Sequence, residues 1–161
     1  MVSKPRPASY SVHYSFVQRF KFTAKEAYEW SMDYRADDFE LMGKSATRKI
    51  DHINNDTIML TDAFLQEKGR PVVKRRLIRM YPELLMMVNT RVSADNIHSQ
   101  FLYQFEDDPK GGSLLRFTGS HVFYGRRPTQ AKIAALASEM KKEDSGIWVN
   151  LNEAMNKDLG H

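Results

Sequence analysis

The sequence predicts an α+β fold of seven strands in meander order and a long C-terminal helix, with two short helices between the first and second strands. Three observations carry this. Residues 10 to 22 alternate apolar and polar side chains, the same period of two returns in six segments between residues 46 and 124, and from residue 133 onward apolar residues recur at three- and four-residue steps. With 161 residues, 42% of them hydrophobic, the chain is long enough to bury a core and short enough for one domain. The expected organisation is a flexible tail over residues 1–9 and a single domain over 10–161.

The first strand places Val12, Tyr14, Phe16, Phe20 and Phe22 on one face, and His13, Ser15, Arg19 and Lys21 on the other. Thr23-Ala24-Lys25-Glu26 reads as a capping box that opens a helix through Tyr28 and Trp30. A second short helix carries Phe39, Leu41 and Met42 and ends at Gly43. Strands follow near 46–53, 57–66, 71–81, 84–93, 98–106 and 113–124. The turns between them are Asn54-Asn55-Asp56, Lys68-Gly69, Pro82-Glu83, Asp95-Asn96 and Asp108 to Gly112. Pro128 sits where a first helical turn tolerates proline. Ile133, Ala137, Met140, Asp144, Ile147, Leu151, Met155 and Leu159 then mark one face of the long helix, which Gly146 is expected to bend or loosen.

Composition excludes several classes of function. The chain has no cysteine, hence no disulfide, thiol nucleophile or Cys-ligated metal. Its 24 Lys and Arg against 20 Asp and Glu give a net charge of +4. The densest basic stretch, Arg70 to Arg79, splits between two faces of a strand and accompanies no nucleic-acid-binding motif. The first residues are basic without a following apolar run, so they read as a tail rather than a signal peptide, and a cytoplasmic location is expected. No segment has the length of a membrane span. There is no Gly-x-Ser-x-Gly elbow, no phosphate-binding glycine loop and no His-Glu-x-x-His pair, so neither a metal nor another cofactor is expected.

Strand, two short helices, six meandering strands and a closing helix: in this order of elements the chain, from Tyr10 to Leu159, resembles the START-like (SRPBCC) helix-grip superfamily. Its members include the birch-pollen allergen family, START lipid-transfer domains, polyketide cyclases and coenzyme Q-binding proteins. The resemblance implies that the seven strands form an antiparallel sheet curled around the last helix, with a cavity between them. It implies as ligand a hydrophobic or amphipathic small molecule, lipid-like or polycyclic. It also allows two alternatives, a polyketide cyclase or dehydratase working in the same cavity and a regulatory module that binds a protein partner.

Hairpin geometry predicts which residues face that cavity. Two-residue turns at Lys68-Gly69, Pro82-Glu83 and Asp95-Asn96 pair Asp62 with Arg75, Leu60 with Leu77, Arg75 with Thr90, Leu77 with Val88, Thr90 with Phe101 and Val88 with Tyr103. An odd-length loop pairs Tyr103 with Phe117 and Ser99 with His121. These rows share the more apolar face, leaving Lys74, Arg76, Gln100, Gln104 and Arg116 for solvent. For the strand at 46–53, one reading of the turn points Arg48, Ile50 and His52 inward and another points them out. The apolar part of a ligand is then expected along Val88, Phe101, Tyr103, Phe117, Met140 and Ile147. Its polar end is expected near Tyr14, Asp62, Arg75, Thr90 and His121. Arg75 is the candidate for a carboxylate or phosphate, with Asp62 as counter-charge; the two equally make a structural cross-strand pair. His121 is the candidate base of the enzymatic alternative. Leu85 and Met87 are expected to face outward, where they suit a protein partner or a homodimer.

Overall fold

A computed structural model of the chain describes residues 8–65, 71–92 and 97–160. The elements follow the order β1 (Ser9–Phe20), α1 (Ala24–Met32), α2 (Asp38–Leu41), β2 (Ala46–Asn54), β3 (Thr57–Phe64), β4 (Val72–Tyr81), β5 (Met86–Arg91), β6 (Ile97–Asp107), β7 (Ser113–Tyr124) and α3 (Gln130–Leu159). The strands form one antiparallel sheet in the order β1-β7-β6-β5-β4-β3-β2, so the first strand pairs with the last.

Local chemistry sets the ends of the elements. The capping box forms: the Thr23 hydroxyl accepts from the Glu26 amide at 3.3 Å, and the Glu26 carboxylate accepts from the Thr23 amide at 2.9 Å. Gly43, at φ +67°, follows the one-turn helix α2 in a left-handed conformation that glycine takes without strain. Pro128 lies one residue before the cap of α3, not in its first turn: Thr129 is the N-cap, its hydroxyl accepting from the Lys132 amide. The helix runs unbroken through Gly146. Residues 21 and 22 lie beyond β1.

Two apolar clusters fill the concave side of the sheet. In the first, Trp148 of α3 meets Phe20, Tyr103 and Phe105 within about 6 Å between ring centroids, beside Tyr28, Leu115, Phe117 and Met155. In the second, Ile58, Leu60, Ile78 and Met87 come from β3, β4 and β5.

The register agrees with the expected one between β6 and β7, where Tyr103 pairs with Phe117, Phe101 with Gly119 and Ser99 with His121. It differs at the three preceding hairpins. Leu60 pairs with Arg76 and Asp62 with Lys74, one residue away from the pairing a two-residue turn at Lys68-Gly69 would impose; that turn lies outside the described residues. Thr90 pairs with Gln100, again one residue away, and the Asp95-Asn96 turn also lies outside the described residues. Between β4 and β5 the connection is Pro82 to Leu85, a 3₁₀ turn closed by Leu85 at φ +46°, so Tyr81 pairs with Met86 and the register moves by two.

The consequence follows from the period of a strand. One residue of slip at β3–β4 turns β4 over, the shift of two preserves that choice in β5, and the second slip restores β6. Lys74, Arg76 and Ile78 therefore face inward, where Arg75, Leu77 and Arg79 were expected. Met87 and Asn89, each 2% exposed, replace Val88 and Thr90, and Met87 is not an outward residue. Leu85 also packs against the core. On β2 the open alternative resolves: Arg48 pairs with Asp62 and Ile50 with Leu60 on the inner side, while His52 is exposed.

Candidate functional site

Between the sheet and α3 lie two adjoining pockets that share Met42, Arg76, Phe101, Asp144 and Ile147 in their walls. The first, about 140 Å³, is lined by aromatic rings, Trp30, Tyr34, Tyr103, Phe117 and Trp148 among them. The second, about 220 Å³, holds Tyr14, Ser99, His121 and Met140 together with Lys44, Lys74 and Arg91. Seven of the expected residues thus line the two pockets: Tyr14, Phe101, Tyr103, Phe117, His121, Met140 and Ile147. Asp62 is inward and fully buried, but it stands behind the wall. Arg75, Val88 and Thr90 belong to the convex face, because β4 and β5 are turned over relative to the expected register.

The position expected for Arg75 is taken by its neighbour. Asp62 accepts from Nε of Arg48 at 2.8 Å and from Nη2 of Arg76, and Arg48 also donates to Asp38 at 2.7 Å. The Arg48 guanidinium lies 4.4 Å from the centroid of the Phe39 ring. Such a network is tolerable in a low-dielectric interior because each carboxylate has a cation and the buried Arg48 guanidinium has two carboxylate acceptors. Arg76 is incompletely satisfied. Its Nε is buried with no hydrogen-bond partner among the described residues, and so is the side-chain oxygen of Asn89 in the first pocket.

A second chain of polar groups spans from β1 through β7 to α3. Tyr14 donates its hydroxyl proton to Asp144, and its oxygen lies 3.2 Å from Nε2 of His121. Having only one proton, the tyrosine must accept from Nε2–H. His121 Nδ1, 2.8 Å from the Ser99 hydroxyl, is then the acceptor at the other end. Burial, with the nearby Arg91, His13 and Lys74, holds His121 below the ordinary histidine range, so its ring is neutral at pH 7. Burial raises the Asp144 carboxyl, against the lowering effect of the Tyr14 hydrogen bond, and raises the Tyr14 hydroxyl. Gly119, opposite Tyr14 in the register, makes this geometry possible: a Cβ there would stand 2.4 Å from Cζ of the tyrosine.

Arg48, Lys74, Arg76 and Asn89 were absent from the expected site. Charged or amide side chains on a strand read as solvent-facing, and only the alternation of β4 in its other register, with Ile78 and Met80 inward, carries the opposite signal.

A curled antiparallel sheet closed by a long C-terminal helix over an internal cavity is the helix-grip fold, and the chain has it. No family model and no curated protein matches the sequence. Solved structures do. Ara h 8.0201 superposes with a TM-score of 0.69 at 11% identity, covering 91% of this chain and 99% of that one. The Zhui aromatase/cyclase from Streptomyces sp. R1128 gives 0.67 at 8% identity over 93% and 96% of the two chains. Truncated norcoclaurine synthase from Thalictrum flavum gives 0.67 at 8% over 99% of both. At these identities the likeness is one of fold. No described helix is long and apolar enough to cross a membrane.

Proposed function

We propose that this protein binds one hydrophobic or amphipathic small molecule, lipid-like or polycyclic, in the cavity between the sheet and α3. The observation that carries this reading is the cavity wall itself, aromatic along Phe101, Tyr103, Phe117 and Trp148 and interrupted by polar side chains, Arg76 and Asn89 among them. Apolar burial supplies affinity at roughly 25 cal/mol per Å² before the costs of association, and the few polar atoms orient the ligand. The structural likeness to an aromatase/cyclase and to norcoclaurine synthase is compatible with a cavity of this kind.

The test is titration with N-phenylnaphthylamine, a neutral aromatic probe that fluoresces when shielded from water. Saturable one-to-one binding is expected, and Ile147→Trp, which fills space shared by both pockets, is expected to weaken it by about tenfold or more, roughly 1.4 kcal/mol. Absence of saturable binding, or equal binding by a folded Ile147→Trp variant, overturns the reading.

The Ser99–His121–Tyr14–Asp144 chain favours a second reading, a cyclase- or dehydratase-like enzyme. It connects a neutral imidazole to a carboxylate across the second pocket: a proton taken from a bound carbonyl compound at the Ser99 oxygen sends the Ser99 proton to Nδ1 of His121, the Nε2 proton to Tyr14 and the Tyr14 proton to Asp144. In that case His121→Ala abolishes turnover of such a compound while the probe still binds. Turnover unchanged in the variant rules His121 out as the base.

A further inference from the structure

The second pocket holds a lysine, Lys74, whose charge no carboxylate of the described residues pairs. Lys74 points inward from β4 with its ammonium 4.9 Å from the centroid of the Phe64 ring, and among the described residues no carboxylate lies within 4 Å of it. Its surroundings are cationic. Burial, and the nearby Arg91, Lys44 and Arg76, all disfavour the charged lysine, and Glu143 alone acts the other way. The acids of this wall are already engaged. Glu143 pairs with Lys44 at 3.1 Å, Asp144 accepts from Tyr14, and Asp62 is held between Arg48 and Arg76. The Arg48–Asp62–Asp38 network is complete without Lys74, so the lysine is not needed as its counter-ion. Arg76, beside it on the same face of β4, borders both pockets with its side chain 24% exposed.

Resting on the ligand-binding reading above, we propose that the cavity is selective for an anionic amphiphile, its carboxylate, sulfonate or similar monoanionic head held between Lys74 and Arg76 and its apolar body extending past Phe101 into the aromatic pocket. A head of this kind neutralises Lys74 and accepts from the exposed edge of the Arg76 guanidinium, and hydrogen bonds between ionised partners in a desolvated site are about twice as strong as neutral ones. A neutral amphiphile of the same body leaves both cations as they are in the empty cavity. Selectivity therefore comes from charge, and affinity common to both comes from the rings.

Two probes separate these contributions: anilinonaphthalenesulfonate and N-phenylnaphthylamine, which is the same aromatic body without the sulfonate. The protein is expected to bind the sulfonate about tenfold more tightly or better. Lys74→Gln is expected to remove about five- to tenfold of that affinity while leaving the neutral probe within about twofold, and Lys74→Arg to restore it. Arg75→Gln is the internal control, since it removes the same charge one residue away on the convex face. Equal affinity for the two probes, or equal loss of sulfonate binding in Lys74→Gln and Arg75→Gln, overturns the proposal and leaves the cavity reading intact. If the neutral probe fails to bind as well, the cavity reading itself falls, and this proposal with it.

Discussion

Gly119 and Tyr14 form a pair in which one residue's missing side chain is the other's seat. The tyrosine ring lies across β7 where a Cβ would be, stacks on His121 at 5.7 Å between centroids, and reaches Asp144 on the helix. Gly119→Ala must therefore push the ring away from β7, and the contact is with the rigid end of a tyrosine held at its hydroxyl. A loss of about 1–3 kcal/mol in urea unfolding is expected, with a changed near-ultraviolet tyrosine signal. A variant as stable as the parent with an unchanged spectrum would mean the ring has room to spare. At this scale the sequence was only partly legible. Tyr14, His121 and Asp144 could be placed toward one cavity, because each interrupts an otherwise apolar face. Their hydrogen bonds could not, since these depend on distances between β1, β7 and α3.

Among the elements, α3 is the most independent of its surroundings. Its apolar face, from Ile133 to Met155, is written in steps of three and four, and its start is marked by a threonine cap. Gly146 sits mid-helix with an exposed Cα and open space where a Cβ would stand. Gly146→Ala should consequently stabilise the protein by about 0.5–1 kcal/mol, the helix-interior cost of glycine, read as a higher urea midpoint with unchanged slope. A lower midpoint would show that the glycine serves close packing or flexibility that the open space does not reveal. The strands were less uniform. β1, β6 and β7 bury aromatic and aliphatic residues on alternate positions, and their inward faces follow from periodicity. β4 and β5 carry Arg, Lys and Asn inward among Ile78 and Met87, so apolarity is nearly balanced between their two faces. There the expected turns decided the outcome, and the β4–β5 connection is longer by two residues than the Pro82-Glu83 turn supposed.

For the whole molecule, the buried ions act as a joint. Arg48 links the edge strand β2 to Asp62 of β3 and to Asp38 of α2, and Asp62 in turn holds Arg76 of β4. The Arg48 side chain is 1% exposed, so its removal strands two carboxylates away from water. Arg48→Met should cost about 3–5 kcal/mol, the range for breaking a buried pair from one side. The matching measurement is equilibrium urea unfolding. A loss below about 1 kcal/mol would mean that Arg76, with Arg35 whose Nε lies 3.8 Å from Asp38, suffices for both acids, and that the network positions the cavity wall more than it stabilises the sheet.

What the sequence by itself determined is the succession of elements, their approximate limits, the helix-grip architecture and the inward faces of the strands whose interior is apolar. These depend on neighbours along the chain: a period of two or of 3.6, a capping residue, a glycine after a turn of helix. Only the tertiary structure decided that Arg76 rather than Arg75 meets Asp62, and that Lys74, Arg48 and Asn89 belong to the interior. A charged side chain on a strand is compatible with either face until a counter-ion from another strand stands opposite it. For Asp62 those counter-ions come from residues 48 and 76, 14 positions away in each direction.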